Sequence, residues 1–241
     1  MSELADILAS ARRAVFFGGA GVSTESGIPD FRSASGLYAT EHALGHPPEY
    51  LLSHSCLERD PAAFFDFHRT KLVHRDARPN RAHRALAEWE RRGGLAAVIT
   101  QNIDGLHQAA GSRTVLELHG STHRNSCVEC GRSYDLDFLL AAPGVPACPE
   151  CGAMVRPDVV LYEEALDGAV VEASLAAIEA ADVLVVGGTS LNVHPAAGMI
   201  RFYVGEALVL VNLEPTPYDH VADLVIHEPI GQVLGEALGV E

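Results

Sequence analysis

Short apolar runs alternating with helical stretches, a glycine-rich turn after the first run, and two cysteine pairs together set the expected fold. The class is α/β: a Rossmann-like parallel sheet in a large domain, with a smaller inserted domain made of a zinc ribbon and a helical module. The apolar runs are Ala14-Val15-Phe16-Phe17, Leu95 to Thr100, Thr114 to Leu118, Val183 to Val186, Ala207 to Val211 and Leu224 to Ile226. They read as buried strands.

Taken in order, Ser2 to Arg13 carries Leu4, Ile7, Leu8 and Ala11 at helical spacing, an amphipathic helix ahead of the first strand. That strand opens into Gly18-Gly19-Ala20-Gly21-Val22-Ser23-Thr24-Glu25-Ser26-Gly27-Ile28-Pro29-Asp30-Phe31-Arg32. Bare backbone N–H groups on such a turn suit the pyrophosphate of a dinucleotide. Gly19 and Gly21 supply G-x-G, but Thr24 stands at the third glycine position, so the usual fingerprint is half met. Pro29 to Arg32 reads as a rigid loop with an aromatic ring and a cation. Residues 33–78 lack strand signals, are rich in His, Pro and aromatics, and include a helix from Pro61 to Val73. Asn80 caps a helix with Ala85, Leu86 and Trp89 that ends at Gly93-Gly94. An alanine-rich helix from Gly168 to Ala180 precedes the fourth strand, and one from Gly231 to Leu238 closes the chain. The expected division is 1–32, 79–122 and 155–241 in the large domain, 33–78 as a helical insertion and 123–154 as a zinc-binding module.

Cys127-Val128-Glu129-Cys130 and Cys148-Pro149-Glu150-Cys151 match the C-x₂-C…C-x₂-C spacing of a tetrahedral structural zinc site. Gly131 and Gly152 follow the pairs and permit the backbone of a knuckle. Two disulfides are the alternative, disfavoured in a chain with no visible export signal. Four protein ligands leave no open position, so the metal is expected to be structural. Cys56 is the unpaired fifth cysteine, read as a small apolar filler.

The 241 residues are 48% hydrophobic, enough for a full core. Seventeen basic against 32 acidic side chains leave a net charge of −15, which argues against unaided nucleic-acid binding and suits the steering of basic peptides. Lys71 is the only lysine. No apolar run approaches the ~20 residues that span a bilayer, and a soluble, cytoplasmic protein without a membrane partner is expected.

The Gly18–Arg32 segment resembles the sirtuin (Sir2) family of NAD-dependent protein deacylases, bacterial type. Thr100-Gln101-Asn102-Ile103-Asp104-Gly105-Leu106-His107 resembles the second signature of that family. Glu117-Leu118-His119-Gly120-Ser121 resembles its catalytic-histidine motif, and the cysteine quartet its zinc module. With Gly187-Gly188-Thr189-Ser190 and Asn212-Leu213-Glu214, the likeness runs from about Val15 to near the C-terminus in the family's order.

The resemblance implies roles. His119 would be the general base, with Asn102 as its catalytic companion holding ribose hydroxyls and a water together with Gln101. Ala20, Gly21 and Thr24 would contact phosphate and ribose through backbone N–H and hydroxyl groups. Phe31 would lie over the reacting ribose, with Gly19, Asp30 and Arg32 in the same cofactor loop. Ile103 and Asp104 would bind nicotinamide. Gly188, Thr189 and Ser190 would face the phosphates, and Asn212, Leu213 and Glu214 the adenosine ribose. NAD would be the co-substrate and one zinc ion the structural metal. Partners would be acylated-lysine proteins or peptides, yielding nicotinamide and O-acetyl-ADP-ribose. A protein mono-ADP-ribosyltransferase on the same scaffold is the alternative activity, and a non-catalytic NAD-binding or zinc-ribbon module a third.

Arg156 to Glu164 resembles the family's substrate strand, with Val160 and Tyr162 walling the acyl-lysine tunnel and Val193 opposite. Glu163 stands where family members commonly have Gly. Phe65 and His68 stand where succinyl-selective members have Tyr and Arg on a helix lining the acyl pocket. A pocket without a fixed cation favours acetyl over succinyl, with His68 compensating in part at lower pH if protonated.

Overall fold

The structure is a computed structural model, and it describes residues 3–31, 33, 36–40 and 46–241. The strands are β1 (Ala14–Gly18), β2 (Leu95–Thr100), β3 (Val115–Glu117), β4 (Gly120–Cys127), β5 (Ser133–Tyr134), β6 (Val155–Val159), β7 (Val183–Gly187), β8 (Ala207–Val211) and β9 (Leu224–Ile226). The helices are α1 (Glu3–Ser10), α2 (Leu37–Thr40), α3 (Pro48–Leu51), α4 (His54–Arg59), α5 (Pro61–Phe67), α6 (Arg81–Arg91), α7 (Leu106–Ala110), α8 (Leu136–Ala141), α9 (Gly168–Glu179) and α10 (Ile230–Leu238).

Six strands form one parallel sheet in the order β3-β2-β1-β7-β8-β9. The apolar runs foreseen in the sequence are these strands, within a residue at either end. They are continuously apolar because both faces are covered, as a parallel sheet requires. Alternation along β1 shows it: Ala14 and Phe16 pack with Leu86 and Trp89 of α6 and Leu234 of α10, whereas Val15 and Phe17 pack with Ile178 of α9 and Ile200. Strand order reverses between β1 and β7, so the loops that follow them part at that point. A crevice at the carboxyl edge of the sheet results.

The first loop departs from the dinucleotide pattern in a way that explains Thr24. Two short 3₁₀ turns, Ala20–Val22 and Thr24–Ser26, follow β1 in place of a long helix. A third glycine serves close helix–strand packing, and here no such helix demands it. Gly21 is needed for another reason: a Cβ there would lie 2.8 Å from the Cα of Gly188, where the β1 and β7 loops touch.

The smaller unit has two parts. Strands β5-β4-β6 make an antiparallel sheet that carries the cysteine knuckles. Helices α2 to α5 lie within the stretch 33–78, and a separate core gathers Leu51, Cys56, Phe64, Phe65 and Phe67. Cys56 is buried there, as a small filler should be. The helix expected from Pro61 to Val73 is regular only to Phe67; a π-helical turn spans His68–Leu72 and Val73 is extended.

Candidate active site

A cleft of about 700 Å³ lies along the carboxyl edge of the sheet. Gly19, Ala20, Gly21, Thr24, Asp30 and Phe31 come to it from the loop after β1, and Gln101, Asn102, Ile103 and Asp104 from the loop after β2. His119 follows β3, Gly188, Thr189 and Ser190 follow β7, and Asn212, Leu213 and Glu214 follow β8. Val160, Tyr162 and Val193 line the same cleft. Five segments far apart in sequence thus converge. Arg32 lies outside the described residues.

The imidazole of His119 is oriented by the backbone. Its Nδ1 is 2.9 Å from the carbonyl oxygen of Gln101, and a carbonyl only accepts, so Nδ1 carries the proton. In the neutral ring Nε2 is then the basic nitrogen. The Gln101 side chain donates from Nε2 to the Thr189 hydroxyl at 3.1 Å, tying the β2 and β7 loops together.

A residue that sequence reasoning passed over sits at the centre. Buried Ser23 donates its hydroxyl to Oδ2 of Asp104 at 2.6 Å and accepts from Nδ2 of Asn102 at 3.1 Å. Asp104 also accepts the Leu106 N–H on Oδ1 at 2.9 Å, and its carbonyl lies 3.0 Å from Nε2 of His123. Asp104 therefore opens α7 and faces the cleft at once, and His123 serves structure. Asn80 was expected only as a cap. Its Oδ1 accepts from Ala82 and His83 at the start of α6, and its Nδ2 also donates to the Val22 carbonyl at 2.7 Å, fastening the first loop. Glu25 accepts the Gly231 N–H at 2.8 Å, which anchors α10 to the same loop.

Two expectations need correction. The Gly19 and Gly21 N–H groups donate to the carbonyls of Gly187 and Gly188 at 3.3 and 2.8 Å, so they are not open phosphate donors. Those glycines act by close approach. Phe65 and His68 do not wall the cleft; both are wholly buried in the helical core. His68 stacks on Phe64, and burial first, then the Arg69 charge, holds its pKa down to about 4. It carries no charge at pH 6. Arg69 is likewise engaged, on the carbonyls of Leu139 and Gly144.

The segment after β6 that lines the cleft is held from behind. β6 ends at Val159, and the Val160 N–H donates to the His119 carbonyl at 3.0 Å. Tyr162 then pairs with the helical module: its N–H meets the Leu52 carbonyl, and its carbonyl the His54 N–H, both at 3.0 Å. The Tyr162 and Tyr38 hydroxyls are hydrogen-bonded across the cleft. Glu163 has φ 75°, the left-handed region that glycine enters without strain.

Away from the cleft, the sulfurs of Cys127, Cys130, Cys148 and Cys151 all lie within 4.8 Å of one another. Cys127 and Cys151 are 3.4 Å apart and Cys130 and Cys148 3.7 Å, far beyond a disulfide bond. A tetrahedron with zinc–sulfur bonds of ~2.3 Å has edges of about 3.8 Å, so the donor set fits zinc. Gly131 and Gly152 take φ 68° and 78°, turning each knuckle so that their N–H groups reach the Cys127 and Cys148 carbonyls. The Tyr134 hydroxyl, 3.0 Å from the Cys148 sulfur, brings that thiol down to about 6, toward the thiolate a metal takes.

Residues 19–195 match the family model described as the Sir2 family. An NAD-dependent protein deacetylase of Cutibacterium acnes is 60% identical over 232 residues, covering 96% of this chain and 95% of its own. One of Clostridium acetobutylicum is 54% identical over 235 residues, covering 97% and 96%. A solved Sir2–p53 peptide–NAD+ complex superposes with a TM-score of 0.87 at 35% identity, covering 99% of this chain and 97% of that one. The chain belongs to the Sir2 family.

Proposed function

We propose that this chain is an NAD-dependent protein-lysine deacetylase that releases nicotinamide and O-acetyl-ADP-ribose. One observation carries this most directly: His119, Asn102 and Asp104 share a single cleft with the dinucleotide loops and with the strand at Val160 and Tyr162. Its relatives at 54–60% identity are deacetylases by name.

Bound there, NAD supplies an electrophilic ribose carbon and the sugar that accepts the acyl group. The protein positions and moves protons. Nε2 of His119 takes a proton from a ribose hydroxyl, and the Gln101 carbonyl on Nδ1 stabilises the resulting imidazolium. Asp104, oriented by Ser23, accepts from the nicotinamide carboxamide, with Ile103 against the ring. Ser23 couples Asn102 to that carboxylate, so the ribose and nicotinamide ends are set together. Thr189, Ser190 and the Ala20 N–H face the phosphates, and Asn212 and Glu214 the adenosine ribose. Phe31, edge-on to Tyr38, stands over the reacting centre. The cysteine quartet holds one zinc ion, with no part in the reaction. The reduced thiols suit a cytoplasmic location.

Acetyl is favoured over succinyl. With Phe65 and His68 buried, neither offers the cation that a buried carboxylate requires. Matched acetyl and succinyl peptides should differ at least ~10-fold in kcat/KM at pH 8, with no recovery for succinyl at pH 6. Equal turnover would instead bring the succinyl carboxylate to Lys71, which lines the same cleft.

The decisive experiment mixes the protein, NAD and an acetylated peptide. Nicotinamide, free lysine peptide and O-acetyl-ADP-ribose should appear in equal amounts, with no nicotinamide from the unacylated peptide. Radiolabel passing from NAD to protein would establish the mono-ADP-ribosyltransferase instead, and no nicotinamide under either condition a binding module.

A further inference from the structure

Two acids end the cleft-lining segment after β6, and they meet different partners. Glu164 is engaged within the fold: Arg156 donates to it from Nη1 at 2.5 Å and Nη2 at 3.0 Å, the Leu161 N–H at 2.9 Å, and His54 Nδ1 lies at 2.9 Å. Glu163 accepts the neutral N–H of Ser55 at 2.9 Å and makes no ion pair among the described residues. It is exposed and lines the cleft beside Tyr162 and His194.

Backbone and charge point the same way. At φ 75° a glycine would hold this turn without strain, yet a carboxylate is kept there. Strain retained at a cleft edge directs attention to what the side chain does for a ligand. Among the described residues the Glu163 N–H has no backbone partner, so the main chain here remains open to an extended peptide. The bond from the Ser55 side chain first, then that from its N–H, and then the charges of His54 and Arg59 hold the carboxyl below the ordinary carboxylate range, and it is ionised at neutral pH.

We propose that Glu163 is a specificity-determining residue that selects acylated peptides bearing an arginine or lysine next to the acyl-lysine. This rests on the deacetylase activity proposed above and names its substrate class. Ser55 holds and aims the carboxylate without neutralising it, so the net charge stays at the exposed edge of the cleft where the chain would enter. A flanking cation passing the open Glu163 main chain comes within reach of that charge, in a protein whose net charge of −15 already draws basic peptides. An exposed pair of this kind is worth about a two- to fivefold preference, and salt weakens it.

The test uses three acetyl-lysine peptides that differ only in the neighbouring residue, Arg, Ala or Glu, with NAD and full-length protein. The expected Arg-to-Ala ratio of kcat/KM is about two to five, carried by KM, with the Glu peptide poorest. Glu163→Gln keeps an acceptor for Ser55 and removes the charge, and should bring the ratio to about one, as should raising salt from about 0.05 to about 0.5 M. Glu163→Gly also relieves the left-handed backbone and should give the same flat ratio should Glu163→Gln fold poorly. A flat ratio in the wild type, or an undiminished one in both variants, overturns the role of Glu163 while leaving deacetylation intact. No nicotinamide from any of the three peptides overturns the deacetylase proposal and this one with it.

Discussion

The cysteine module and the carboxyl edge of the sheet both gather polar groups from distant parts of the chain, but they close differently. In the module four sulfurs face one another within 4.8 Å, on knuckles turned by Gly131 and Gly152. Nothing there is left to meet a substrate. At the sheet edge the convergent groups also bond to one another, Ser23 to Asn102 and Asp104, His119 to Gln101 and Gln101 to Thr189, but they do so around an open cleft of about 700 Å³. A cluster closed on itself holds a fold together; a cluster arranged around an open cleft is available for chemistry. The histidines repeat the contrast. His68, His83 and His107 are buried, and burial holds them down to about 4, 4 and 3, whereas His119 stands at the cleft on a carbonyl that fixes its tautomer.

The largest effect should come from breaking the closed cluster. Structural zinc binding contributes on the order of 10 kcal/mol of folding free energy. Cys148→Ser should therefore yield protein without zinc and without a cooperative melt, read by elemental analysis and calorimetry. A zinc-free variant that melts like the wild type would remove the structural side of the comparison.

Next comes acid stability. His68 has a folded pKa of about 4 against an unfolded value near 6.5. The unfolded chain binds its proton first, so this contribution is complete above pH 6.5 and lost as pH falls toward 4. The loss approaches ~3 kcal/mol at full expression. His68→Leu should flatten the decline of the urea midpoint between pH 7 and pH 5. Equal slopes in the two proteins would exclude buried His68 as a source of that decline.

A smaller change tests the open cluster. Ser23→Ala removes a donor to a carboxylate and a partner of Asn102, a loss of about 1.5–3 kcal/mol. Deacetylation kcat/KM measured with NAD as the varied substrate should fall about 10- to 100-fold, with the melting temperature nearly unchanged. A large drop in melting temperature with unaltered kinetics would make Ser23 a fold residue.

The sheet was readable because burial on both faces writes itself as apolar runs such as Val183 to Val186 and Ala207 to Val211. The knuckles were readable because two thiolates on one tight turn need C-x₂-C spacing. Orientation was not. Phe65 lies on α5 and His68 in the π-helical turn after it, and packing turns both into the core, Phe65 in one cluster with Phe64 and Leu139 and His68 stacked on Phe64, which their place in the sequence does not state. The π-helical turn after Phe67 was equally silent. Ser23 is one hydroxyl among several in its loop, and its bonds to Asn102 and Asp104 exist only once β1 and β2 are side by side. The half-met glycine fingerprint held the one usable signal: Thr24 in the third position marks a 3₁₀ turn where a helix would have needed glycine.

The central claim is that the open edge performs the reaction and that His119 is its base. The most direct test is His119→Ala, measured for turnover of an acetylated peptide, for NAD affinity and for its melt. Turnover should fall by ~10²–10⁴-fold, the effect of losing a general base, while NAD binding and the melt stay close to wild type. A variant that keeps most of its turnover, or loses it only because NAD no longer binds, would contradict the assignment.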